Sequence, residues 1–183
     1  MNLPPFVRSA RSYCWIGPGT GKQIVHSLKY DGWTRVGEEI AERMSHVSVP
    51  ADVKLERTAL VPVPLSPDRR RERGFNQSEV IARALANLWR IPVWPSALER
   101  QTSTRSQTQL TPGERLGNVA GAFSVPTAQR SALRGAHLVL VDDVVTTGAT
   151  LRASASALFA AGARTISYMT FGRAPASGDR LFQ

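Results

Sequence analysis

Leu138-Val139-Leu140-Val141-Asp142-Asp143-Val144-Val145-Thr146-Thr147-Gly148-Ala149-Thr150 is the stretch that decides how this chain folds. With His137 it opens on an unbroken apolar run of the kind found in buried parallel strands. An acidic pair ends the run. A turn of hydroxyls and glycine then leads into a helix of small residues, predicted from Ala149 to Ala161 and stopped by Gly162. In an open α/β sheet, ligands gather beyond the carboxyl ends of the strands. The helix N-terminus there offers free N–H groups and a partial positive charge to a phosphate. Gly148 permits close approach of the backbone, and Thr146, Thr147 and Thr150 add hydroxyls. Asp142 and Asp143 can accept hydrogen bonds from vicinal sugar hydroxyls, so the constellation suits a ribose 5-phosphate. Two other readings compete: threonines capping a helix beside solvated aspartates, and an acidic pair serving a metal or a phospho-acceptor.

Outward from this stretch, the pattern alternates strand and helix. Ala59 to Pro64 reads as a short buried strand and Thr165 to Met169 as the next strand after the small-residue helix. Asn76 to Trp89 reads as a helix through Val80, Ile81, Ala84, Leu85 and Leu88. Residues 22–44 carry helical spacing interrupted near Gly32, and Thr111-Pro112-Gly113-Glu114 has the capping pattern of a helix start. Residues 66–75 are expected to form an arginine-rich loop, and residues 101–110 a polar, mobile one. Residues 1–19 look like a Pro/Gly-punctuated lead-in. The expected architecture is α/β: an open, mostly parallel sheet flanked by helices, with a lead-in over residues 1–21 and one domain over 22–183.

The 183 residues match one domain that buries about 70% of its unfolded surface. At 42% hydrophobic the chain is of ordinary globular composition, which excludes disorder and collagen-like repeats. A single cysteine, Cys14, excludes an intramolecular disulfide and a cysteine-rich zinc site. No apolar run is long enough for a membrane span or a secretory signal, so a cytoplasmic protein is expected. Net charge is +9, and three lysines among 23 basic residues leave 20 arginines. Guanidinium forks suit phosphates, so a polyanionic ligand is favoured. The tryptophans, Trp15, Trp33, Trp89 and Trp94, are expected in the core rather than as base-stacking platforms.

Gly17-Pro18-Gly19-Thr20-Gly21-Lys22-Gln23 imitates the phosphate loop of an ATPase and fails the test of spacing. Ile16 stands where the first Gly belongs, Gln23 where a Mg²⁺-holding hydroxyl belongs, and no apolar strand precedes it. It reads as a turn before a helix.

The run from Leu138 to Thr150 resembles the phosphoribosyl-pyrophosphate (PRPP) motif of type I phosphoribosyltransferases. With Leu28-Lys29-Tyr30, Val61-Pro62-Val63-Pro64, Arg70 to Gln77, and Thr104, Gln107, Leu110, Arg115, Asn118 and Gly121-Ala122-Phe123, the chain resembles the competence protein F (ComF) family from Lys22 to Phe171. That resemblance implies that Asp142 and Asp143 hold the ribose hydroxyls and that Thr146, Thr147, Gly148, Ala149 and Thr150 wrap the 5′-phosphate. Residues 61–65, with Val63 and Pro64, would form the pyrophosphate loop, and Arg73 would contact phosphate. Arg105 and Gln107 would close over the site, forming the catalytic set together with Asp142 and Asp143. Mg²⁺ is implied as cofactor, bound through pyrophosphate, with no metal ligand supplied directly by the protein.

The activity implied is pentosyl transfer from PRPP to an acceptor, associated with DNA uptake in natural competence. The alternative is a non-catalytic PRPP-sensing or single-stranded DNA-binding module. Implied partners are PRPP, single-stranded DNA held by Arg69, Arg70 and Arg71, other competence proteins, and a second copy of the chain as a homodimer. Relatives specific for 6-oxopurines carry an acidic residue at the position of Thr146, which argues against hypoxanthine or guanine as acceptor. Many ComF proteins begin with a four-cysteine zinc finger, whereas this sequence has the single Cys14.

Overall fold

A computed structural model describes residues 3–17, 34–101 and 121–174. In chain order these form β1 (Val7–Trp15), α1 (Thr34–Ser45), α2 (Ala51–Glu56), β2 (Arg57–Pro62), α3 (Pro67–Arg73), α4 (Gln77–Trp89), β3 (Glu99–Arg100), β4 (Phe123–Ser124), α5 (Arg130–Leu133), β5 (His137–Val145), α6 (Ala149–Ala160) and β6 (Thr165–Arg173). The main sheet has the order β1-β6-β5-β2 with every pairing parallel, and β3 and β4 form a small antiparallel pair. Parallel neighbours need crossovers, and α6 supplies the one between β5 and β6. The expected α/β class and parallel sheet are what the chain adopts.

Both faces of the sheet are covered, which is why β5 reads as a continuous apolar run rather than an alternating one. Leu138 and Leu140 pack with Ile166, Leu151 and Leu158 on the α6 side. Val139 and Val141 pack with Ile40, Met44, Ile81 and Leu85 of α1 and α4 on the other. Truncating one such buried leucine to alanine typically costs about 2–5 kcal/mol.

Several boundaries differ from the sequence reading. Residues 7–15, expected in the lead-in, form edge strand β1, which pairs with β6 from Val7↔Ile166 to Trp15↔Arg173. Its sequence, VRSARSYCW, lacks an apolar run because exposed residues alternate with buried and half-buried ones along this edge strand. The arginine-rich loop contains helix α3: the Ser66 side chain accepts a bond from the Arg69 N–H at 3.4 Å, Pro67 occupies the first turn, and Gly74 closes the helix at φ 75°. β5 and β6 each run four residues past their expected ends, so Asp142 and Asp143 lie within a strand. Helix α1 covers part of the helical pattern expected over residues 22–44. The remainder of that pattern, most of the false phosphate loop, Leu28-Lys29-Tyr30, the 102–110 part of the polar loop and the helix start at Thr111 lie outside the described residues.

Trp15 corrects the expectation of a core role. It is 62% exposed at the end of the edge strand, whereas Trp89 and Trp94 are partly buried against the two cores. Trp33 lies outside the described residues. No described helix is long and apolar enough to cross a membrane.

Candidate functional site

The site is assembled from three chain segments meeting at the carboxyl ends of β2 and β5. The first is β5 itself, which carries Asp142 half-buried and Asp143 buried. The second is the N-terminus of α4. Asn76 caps that helix through its side-chain oxygen, which accepts the Ser78 N–H at 3.1 Å. Its amide nitrogen donates to the Val63 carbonyl at 3.1 Å, so one buried asparagine fixes both the helix start and the segment after β2. The third is that segment, whose Val63 N–H donates to the Val141 carbonyl at 2.9 Å.

These anchors aim α4 at the acidic pair. The Ser78 hydroxyl donates to Asp142 Oδ1 at 2.8 Å, and the Gln77 amide donates to Asp143 Oδ2 at 3.4 Å. The Asp143 N–H also donates to Asp142 Oδ1, at 3.0 Å, and the Val144 N–H to Asp143 Oδ1, at 2.7 Å. Both carboxylates are therefore oriented by neutral donors before any ligand arrives. Arg73 extends the chain of contacts: its guanidinium donates to Gln77 Oε1 at 3.3 Å, which links it through Gln77 to Asp143.

Beyond Val145 the backbone turns over exposed Thr146 and Thr147 into Gly148, at φ 76°, the residue preceding α6. That left-handed conformation favours glycine, and it presents the first N–H groups of α6 in a small cleft that Asp142, Thr146, Thr147 and Thr150 also line. The Thr147 hydroxyl accepts the Ala149 N–H at 3.4 Å. The arrangement offers hydrogen-bond acceptors at the strand end and donors at the helix start, side by side.

The structure thus brings together Asp142, Asp143, Thr146 to Thr150, Val63 and Arg73. Arg69, Arg70 and Arg71 lie on exposed α3, where Arg70 pairs with Glu79 at 3.5 Å and Arg71 with Asp68 at 2.5 Å. Arg105 and Gln107 lie outside the described residues. Asn76 and Gln77 fall within the run Arg70 to Gln77 but are given no role in the site by the sequence reading, and Ser78 and Arg100 are not singled out at all. Asn76 and Ser78 lie at a helix start whose capping pattern could have marked them. Arg100 sits on β3 with its guanidinium 5.4 Å from the Phe123 ring centroid. Burial and the neighbouring Arg69 cation lower its pKa, and the Asp142 charge opposes them. No spacing in the sequence marks Arg100. Among the described residues, no group of three His, Cys, Asp or Glu side chains could hold a metal ion.

Comparison with known proteins bears on this geometry. Residues 78–180 match the family model of the phosphoribosyl transferase domain. The chain is 32% identical over 151 residues to the DNA utilization protein YhgH of Escherichia coli O157:H7, covering 78% of this chain and 63% of that protein. It is 32% identical over 116 residues to competence protein F of Haemophilus influenzae, with coverage of 63% and 50%. Competence protein ComFC of Bacillus subtilis is 31% identical over 103 residues, with coverage of 56% and 39%. The matched segments thus span less than two thirds of the length of these relatives.

Proposed function

Because the chain belongs to the phosphoribosyl transferase domain family, in its competence protein F group, we propose that it binds PRPP with Mg²⁺ and transfers the phosphoribosyl group to an acceptor, in the service of DNA handling. The observation that carries this reading is the oriented acidic pair beside the Gly148 turn. Asp142 and Asp143 would accept the ribose 2′- and 3′-hydroxyls, and residues 146–150 would receive the 5′-phosphate.

In the transfer, the bond from ribose C1 to a pyrophosphate oxygen breaks, and a bond from C1 to an acceptor nitrogen forms. The acceptor's proton leaves to solvent, and nothing is oxidised or reduced. Positive charge develops on the sugar ring, so holding the ring and facing it with fixed carboxylates lowers the barrier. The segment around Val63 and Pro64, with Arg73, would position pyrophosphate. Mg²⁺ would be carried by the pyrophosphate oxygens of the substrate rather than by a cluster of protein ligands, and it would supply charge neutralisation on the leaving group. Arg105 and Gln107 are proposed to close over the site. Arg69, Arg70 and Arg71 are proposed to contact single-stranded DNA.

The test is thermal. PRPP with Mg²⁺ at about 100 times its Kd should stabilise the protein by about 2.7 kcal/mol. The double variant Asp142→Asn, Asp143→Asn should lose that shift while keeping the far-UV spectrum of the fold. A double variant that responds like wild type would overturn the assignment.

A further inference from the structure

Next to the phosphate turn lies a cavity of about 380 Å³ that the ribose and phosphate contacts leave unused. It is lined by the later residues of β1 and β6, and Val145, Thr146 and Leu151 line both this cavity and the phosphate cleft. Ser12 and Thr170, register partners on adjacent strands, share a hydrogen bond of 2.7 Å at its wall. Arg173 lines it too, with its guanidinium 5.1 Å from the centroid of the exposed Trp15 ring. Arg11 lines it as well, tethered by bonds to the carbonyls of Ser48 at 3.1 Å and Ala10 at 3.0 Å. Two arginines therefore line the cavity, and no described carboxylate does.

Each feature narrows the ligand. The volume lies in the range of small-molecule sites. The Arg11 guanidinium is taken up by the two carbonyls, which leaves the Arg173 guanidinium to face the cavity; with no described carboxylate in the lining, it makes the local potential positive and selects an anion. A neutral ring would leave that charge without a counterpart. The indole of Trp15 offers a flat surface, and stacking on it holds the Arg173 fork in a fixed plane. The wall shared with the phosphate turn sets the ligand beside the bound sugar phosphate.

We infer that this cavity binds a planar ring carrying an anionic substituent, a carboxylate or a phosphate, with Arg173 as its charge partner. Its role as the acceptor of the phosphoribosyl group rests on the proposed function above. The binding preference itself does not.

Direct titration tests it. Nicotinate and orotate serve as anionic probes, and nicotinamide and uracil as their neutral counterparts. Binding to wild type and to Arg173→Gln is read by calorimetry or ligand-observed NMR, with the PRPP-dependent thermal shift measured on the same wild-type sample. For at least one pair, the anionic probe should bind wild type at least about tenfold more tightly than its counterpart. Arg173→Gln should abolish that difference. Equal or stronger binding of both neutral probes, a preference untouched by Arg173→Gln, or no binding of any probe at millimolar concentration would overturn the inference. An anionic preference without the thermal shift would uphold this site and defeat the phosphoribosyl reading; the shift without the preference would do the reverse.

Discussion

The hydroxyl of Ser78 and the carboxylate of Asp142, 64 residues apart in sequence, meet at 2.8 Å across the junction of α4 and β5. The bond gives Asp142 a fixed direction at the strand end. It also ties the helix that covers one face of the sheet to the residues proposed to hold ribose.

Ser78→Ala removes that donor and little else, because Asn76 caps α4 through the Ser78 backbone N–H rather than its side chain. Loss of one hydrogen bond to a charged group is worth about 1.5–3 kcal/mol. We expect PRPP affinity to fall by roughly 10-fold or more, with a smaller change in melting temperature. Calorimetric titration with PRPP and Mg²⁺ checks this; unchanged affinity would remove Ser78 from the site.

Gly172 is expected to tolerate no side chain. A Cβ placed there would lie 2.1 Å from Cγ1 of the buried Ile16. Gly172→Ala should destabilise the protein by about 1–3 kcal/mol through overpacking, and Ile16→Ala in the same chain should recover part of that loss. Denaturant unfolding of the two single variants and the double variant measures the coupling.

His137 makes stability depend on pH. Its ring is buried, with Nε2 hydrogen-bonded to the Ser167 hydroxyl at 2.9 Å. Burial and then the Arg164 cation push its pKa below the ordinary 6.5, while Glu56 and Asp52 oppose the shift. The unfolded chain therefore takes up this proton at a higher pH than the folded one. Stability should fall as pH drops from about 6.5 toward the folded-state pKa. In His137→Gln that decline should be shallower. Parallel curves for the two proteins would show that another group is responsible.

Arg69, Arg70 and Arg71 should act on nucleic acid and not on PRPP. If about four phosphates of a single strand are contacted, log K should fall against log salt with a slope of roughly −3. Because Arg70 and Arg71 already face Glu79 and Asp68, Arg69→Ala should flatten the slope more than either neighbouring substitution. Fluorescence anisotropy with a labelled oligonucleotide across a salt series checks this. A slope untouched by the triple alanine variant would remove the run from the nucleic-acid surface.

The centre of the fold was legible because its signals are local. The apolar run of β5, the acidic pair, the Gly148 turn and the small residues of α6 are consecutive, so backbone preference and burial pattern act within one short window. The helix of α3 was legible in principle, through Ser66, Pro67 and Gly74, but its charge disguised it as a loop. Strand β1 was not legible: unlike β2 at the other edge it buries few apolar side chains, and the hydroxyl of Ser12 can meet Thr170 without an apolar pattern.

The sequence by itself determined a buried parallel strand running into a glycine turn and a helix of small residues, and with it the fold class. Tertiary structure decided which donors orient the aspartates, since Ser78 and Gln77 reach them only when α4 packs across β5. It placed Arg100 within electrostatic reach of Asp142, and set Arg173 and Trp15 around one cavity with Thr146 of the turn after β5. The reason is physical: these contacts join residues brought together by burying the two faces of one sheet, and no short-range preference encodes a neighbour tens of residues away.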